Sequence, residues 1–185
     1  AWAGKILATL SLALFLAALA LGVVMPWVIG ALAPGFAGTP RLDQSVMFAR
    51  LMLPYLAFAG PVSVLAALLN ARHRVAMTSF MPAMFNVLLI GVLGATMMAP
   101  FNEEPIGRII AATIGLAGFM QLLAITLHWR LSDRAARPLR VAFDDDTRGF
   151  LKQAAPALIA GALPQLTILI GAIVVSPIAG AVAWL

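Results

Sequence analysis

The sequence predicts an all-α membrane protein, a polytopic transmembrane bundle of about five spanning helices, and three observations carry that prediction. Of its 185 residues 63% are hydrophobic and only 10% charged, well beyond the apolar share of about 45–50% in soluble domains. A soluble chain of this size keeps a large fraction of its surface in water and could not hide so much apolar area. The apolar residues also gather into five long runs, about 6–33, 51–70, 75–99, 109–129 and 153–175. Each reaches the length of about 20 residues that a hydrocarbon core demands of a helix, and none shows the ten-residue alternation of a membrane β-barrel.

Charged and turn-forming residues separate the runs. The first ends at Ala33-Pro34-Gly35-Phe36, a turn signal that stops a helix. The second lies between Arg50 and Arg72, and its Tyr55 reads as an anchor at the membrane interface. The third stops at Pro100, ahead of Asn102, Glu103, Glu104 and Pro105, and the fourth lies between Arg108 and Arg130. A polar loop over 130–152 follows. The fifth run meets Ser176-Pro177, and 180–185 reads as the start of a further helix. The chain begins at Ala1 without an initiator methionine and stops at Ala-Trp-Leu without a polar tail, so both ends look cut and a fragment is expected. A signal peptide is a poor reading of the first run, because its apolar stretch far exceeds a signal core of roughly 7–15 residues.

The twelve Lys and Arg sit in the connecting segments. One side of the membrane receives nine of them (Lys5, Arg72, Arg74, Arg130, Arg134, Arg137, Arg140, Arg148 and Lys152), and the other receives Arg41, Arg50 and Arg108. The richer side is expected to be cytoplasmic, which sends the first and fifth spans outward. No basic stripe interleaves with aromatics, so no nucleic acid is implied. With no cysteine, disulfides and thiolate metal sites are excluded. His73 and His128 are isolated and make no metal site. Asp144, Asp145, Asp146 and Thr147 read as a helix cap in preference to a cation site, because acids and Thr favour the positive end of a helix. Nothing resembles a Ser/His/Asp set or a phosphate-cradling glycine loop, so an enzyme is not expected.

Polar residues inside the spans are few. The stretch Leu68–Asn86, LLNARHRVAMTSFMPAMFN, sets Asn70 and three basic residues between two apolar runs, and places Pro82 and Asn86 within the second. Thr78, Pro82 and Asn86 recur every fourth residue and so share a helix face. In lipid a polar side chain needs a partner within protein, and for Asn70 and Asn86 the bland reading is a hydrogen bond between helices. Ala59, Ser63, Ala67 and Asn70 form a small and polar stripe that suggests close packing, and Gln121, midway along the fourth run with Gly115 and Gly118 nearby, suggests a contact between helices. The fifth run differs in carrying Pro156, Gly161, Pro164 and Gly171. Such a helix is expected to bend, either as a static kink or as the hinge that a transporter needs.

At this point the residues carry a resemblance. APGF at 33–36, ARLMLPYL at 49–56, LLNARHRVAMTSFMPAMFN at 68–86 and KQAAPALIAGALPQL at 152–166 are similar, in this order, to the MurJ (MviN) family of lipid II flippases. That family belongs to the multidrug, oligosaccharidyl-lipid and polysaccharide exporter superfamily. The resemblance implies that the five runs correspond to the third to seventh helices of a fourteen-helix, two-lobe transporter. It implies movement of lipid II, the undecaprenyl-pyrophosphate-linked peptidoglycan precursor, across the bacterial inner membrane by alternating access. Lipid II and membrane lipids become the expected partners, with cell-wall synthesis proteins possible. No cofactor or metal is implied; coupling to a sodium ion or to the membrane potential is left open. Gln165 and Thr167 become the substrate or cavity candidates, while Asn70, Pro82, Asn86, Gly161, Pro164 and Gly171 become packing or hinge residues. Two alternatives stand beside this reading, a drug or polysaccharide exporter of the same superfamily and a non-transporting membrane subunit.

Overall fold

In the computed structural model, which describes residues 2–98, 103–132, 141–142 and 144–175, the described chain is helical apart from short turns. Five α-helices follow one another: α1 (Trp2–Leu32), α2 (Pro40–Asn70), α3 (Val75–Met98), α4 (Glu103–Ser132) and α5 (Asp145–Val175), with a single 3-10 turn at Pro34–Phe36 between the first two. The expected start of a helix at 180–185 lies outside the described residues.

The helices outrun the apolar runs that predicted them. Charges at a membrane surface do not end a helix, and start signals override them here. α2 begins at Pro40, not near Leu51, because proline suits the first helical position, where its missing N–H costs nothing. Thr39 precedes it, with its hydroxyl donating to Phe36 O at 2.8 Å. Tyr55 therefore lies midway along α2 and not at its end, and its ring packs on Phe85 of α3 with centroids 5.7 Å apart. α4 likewise starts at Glu103, well ahead of the Arg108 that marks the start of the fourth apolar run. Of the loop expected over 130–152, α4 takes the residues through Ser132 and α5 those from Asp145. α1 and α2 have 31 residues each, about 46 Å at 1.5 Å per residue, which exceeds a hydrocarbon core of about 30 Å.

Four helices are long and apolar enough to cross a membrane among the described residues: α1 to α4. In α5 the apolar run over described residues is Ala162–Val174.

The chain divides into two compact units. The first takes in α1 through Gly22 and the chain from Phe48 through Ala142. Its core joins Val62, Leu65 and Leu69 of α2, Met81 of α3, and Ile125 and Trp129 of α4, with Leu7 of α1 packed alongside. α4 organises this unit. Ala111, Gly115, Gly118, Gln121, Ile125 and Trp129 follow helical spacing and are all buried. Gly115 and Gly118 let α2 approach as no larger residue would. A Cβ on Gly115 would overlap the Leu51 carbonyl oxygen, and one on Gly118 would stand 2.9 Å from Tyr55 Cα and 3.4 Å from Phe58 Cβ. Beside them Phe58 and Phe119 meet edge to face at 5.7 Å. Membrane helices lack a hydrophobic drive toward each other, so small residues that admit close backbone packing supply much of the association.

The second unit holds Val23–Met47 and, from Phe143 onward, α5. Asp144 caps α5 in the expected manner, its Oδ1 accepting from the Thr147 N–H at 3.2 Å and from the Thr147 hydroxyl at 3.1 Å.

A substitution pair tests the role of the α4 glycines. Gly115→Ala should lower stability by roughly 1–3 kcal/mol, the cost of overpacking against backbone that cannot yield. Gly91→Ala, where a Cβ would meet nothing within 4 Å, should be neutral or raise stability by up to about 1 kcal/mol. Unfolding of the full-length protein in mixed micelles reads both, and equal effects at the two sites would contradict the close approach.

Candidate functional site

The residues singled out in the sequence fall into two groups, one in each unit. In the first, the turn between α2 and α3 is closed by a Schellman motif. Arg74 N–H donates to Leu69 O and His73 N–H to Asn70 O, both at 3.0 Å. His73 occupies the left-handed position of this motif, with φ 59°, where glycine is the usual residue. This conformation is the structural role of a histidine that the sequence left without a task.

Asn70 and Thr78 tie the two sides of the turn together. The Thr78 hydroxyl stands 2.6 Å from Asn70 Oδ1 and 2.8 Å from Val75 O, so its single proton serves both acceptors. Beyond the turn, the Arg72 guanidinium lies 4.8 Å from the centroid of the Trp129 ring, a cation–π distance. Trp129 is buried, and its indole N–H has no acceptor among the described residues. Nothing in the sequence pointed to Trp129, because a tryptophan at the end of an apolar run reads as an interfacial anchor.

Pro82 and Asn86 sit on the exposed side of α3, and the Asn86 side chain makes no hydrogen bond among the described residues. Met81, their neighbour on the helix, turns the other way into the core. The amide that joins two helices in this unit is therefore Gln121, whose Nε2 donates to Met81 O at 3.1 Å in a buried setting. The stripe through Ser63, Ala67 and Asn70 is also exposed. Close packing is carried instead by the α4 glycines.

In the second unit α5 runs unbroken through Pro156 and Pro164, and Gly161 lies within it. Proline at 164 removes the N–H that would bond Ala160 O, and proline at 156 does the same for Lys152 O. Gln165 and Thr167 are both exposed, but two residues along a helix turn the chain by about 200°. They point to different sides of α5 and do not form one pocket on it. Pro164 is exposed and Gly171 half-buried. No Asp, Glu, Lys, Arg or His lies between Gln153 and Val175, so α5 offers neutral polar groups and proline-released carbonyls and no charge.

These features describe helices built for a membrane, with a buried amide between helices, proline-interrupted hydrogen bonding and glycine-mediated packing. The profile of the family described as "Lipid II flippase MurJ" matches residues 1–185. The chain belongs to the MurJ family. It is similar to a protein of Rhizobium meliloti (strain 1021) named "Probable lipid II flippase MurJ", 30% identical over 174 residues, which cover 93% of this chain and 32% of that protein. A protein of the same name from Rickettsia prowazekii (strain Madrid E) is 26% identical over 185 residues, covering 100% of this chain and 36% of that one. A third, from Rhizobium tropici, is 26% identical over 185 residues, 98% of this chain and 34% of that protein. The chain thus spans about a third of the length of the curated relatives it matches. With the family and the apolar helices together, it is a multi-pass protein of the bacterial inner membrane.

Two substitutions test the local account. Gln121→Leu should cost roughly 0.6–2 kcal/mol, the range for a hydrogen bond between membrane helices. His73→Gly should raise stability by about 1 kcal/mol, since glycine adopts the left-handed conformation without the Cβ clash. Thermal unfolding checks both; a destabilised His73→Gly would mean that the imidazole makes a contact outweighing the backbone strain.

Proposed function

We propose that the protein to which this region belongs is a lipid II flippase, carrying the undecaprenyl-pyrophosphate-linked peptidoglycan precursor across the inner membrane by alternating access. The observation that carries this reading is the family match over the whole chain, residues 1–185, supported by relatives each named "Probable lipid II flippase MurJ". On this reading the protein is a transporter and not an enzyme. Its substrate is lipid II, its surroundings are membrane lipids, and cell-wall synthesis proteins are its natural neighbours.

Within that reading the two units divide the work. The first, with its buried Gln121 amide and glycine-packed α4, is the rigid part. The exposed α3 face bearing Pro82 and Asn86 packs against helices elsewhere in the full-length protein, where an amide in lipid finds its partner. α5 supplies a flexible wall. Its prolines remove backbone bonds at Lys152 and Ala160, and Gly161 and Gly171 lower the resistance of the intervening turns to bending. Lacking charge, α5 does not hold the pyrophosphate by itself. Gln165, Thr167 and the Ala160 carbonyl can offer only neutral hydrogen bonds, so ionic contacts to the substrate come from elsewhere in the full-length protein.

The test combines transport with accessibility. In the full-length protein, Pro164→Ala with Gly171→Ala should impair lipid II flipping and hold a cysteine at position 167 accessible from one side only, because a straightened α5 favours one access state. Stability should not fall, since alanine restores a helix donor and removes the entropic penalty of glycine. Normal flipping with unaltered accessibility would reduce Pro164 to a static kink. Failure of the unsubstituted protein to move lipid II would remove the functional reading itself.

A further inference from the structure

α1 carries one proline inside its helical span, Pro26. A proline has no N–H to give, so the carbonyl four residues earlier, that of Gly22, loses its helical donor. Gly22 is half-buried and Arg50 exposed, so the released carbonyl is open to a side chain from a neighbouring helix. The partner is a charged side chain of α2, since the Arg50 Nε–H donates to Gly22 O at 2.9 Å. The site suits the approach. Gly22 has no side chain to screen its carbonyl, and a Cβ there would already stand 3.3 Å from Leu53 Cδ1 of α2.

Arg50 also lies at a second break. Pro54 sits four residues after it within α2, so one of the two α2 carbonyls left without a helical donor is that of Arg50 itself. Gly22 and Arg50 both belong to the first unit, so the bond is internal to it. An arginine kept only to fix topology or to meet headgroups would have no reason to aim its Nε at the carbonyl that a proline has released.

We propose that Arg50 is a positioning residue that clamps the Pro26 break in α1: by satisfying the Gly22 carbonyl it holds the helix in one conformation across the turn that the proline weakens. The clamp is independent of the substrate. It predicts that Arg50 matters because of Pro26, and that its importance disappears once residue 26 can donate its own N–H.

The experiment is a double-substitution cycle in the full-length protein reconstituted in liposomes. Spin labels on cysteines at Leu12 and Ala37 flank the break, and their distance distribution is read alongside the unfolding equilibrium in micelles. Arg50→Leu should broaden and shift the distribution, and Arg50→Lys, which keeps a charged donor, should restore it in part. In the Pro26→Ala background Arg50→Leu should change neither readout, with a coupling on the order of three- to twenty-fold in the unfolding equilibrium. An equal effect of Arg50→Leu with and without Pro26, or no effect in either, overturns the clamp. If Arg50→Leu does not accumulate, Arg50→Gln is compared in the same two backgrounds; a defect that Pro26→Ala relieves supports the proposal, and one that it does not relieve refutes it.

Discussion

The contact on which the first unit depends is the approach of α2 to α4 at Gly115 and Gly118. Oil-like surroundings give two helices no hydrophobic reason to associate, so attraction has to come from dense packing and from polar groups that meet across the gap. Removing two side chains on one face of α4 brings the Leu51 carbonyl and Tyr55 Cα to within contact of its backbone. That approach places Phe58 against Phe119 and lets Gln121 reach Met81 O. The core of Leu69, Ile125 and Trp129 then closes one end of the same seam. A bulkier residue at either glycine would open all of these contacts together.

The second constraint is the backbone. Prolines lie within α1, α2, α3 and α5, and each leaves a carbonyl that lipid cannot hydrate. In α1 the answer is a side chain from a neighbouring helix. In α5 the released carbonyls at Lys152 and Ala160 stand beside permissive glycines in a helix without internal charge, the combination expected of an element that bends. The released carbonyls thus meet two surroundings, a side-chain donor at Gly22 and, in α5, neighbouring glycines without charge.

Much of this was legible in the sequence. Length and polarity of the apolar runs located all five helices, because the hydrocarbon core imposes a minimum length that soluble folds do not share. Gln121 was readable as a contact between helices and the acidic stretch from Asp144 as a cap, whereas the close approach at Gly115 and Gly118 came from the fold. Helix ends were not legible: Pro40 and Glu103 start helices inside polar segments, where hydropathy marks the membrane boundary and not the helix boundary. Direction around a helix was hidden too. Asn86 and Gln121 are both amides in apolar runs, and only the fold shows that Gln121 turns to Met81 while Asn86 turns outward. Nor does periodicity pair Arg50 with Gly22 across 28 residues, although the rule that proline releases the carbonyl four residues back names Gly22 as the acceptor to be filled. The family was carried by motifs distributed in order along the chain, and the substrate comes from that family and not from the polar groups of α5.

The most direct measurement of the central contact is a disulfide across the α2–α4 seam. A Cβ at position 118 would lie 3.4 Å from Phe58 Cβ, close to the separation of roughly 3.5–4.5 Å found in disulfides. In the full-length protein in native membranes, with any other cysteines removed, Phe58→Cys with Gly118→Cys should cross-link rapidly under mild oxidation, while Phe58→Cys with Gly91→Cys should remain reduced. Failure of the first pair to cross-link in folded protein, or equal cross-linking of the second, would contradict the packing of α4 against α2 from which the rest of the account is built.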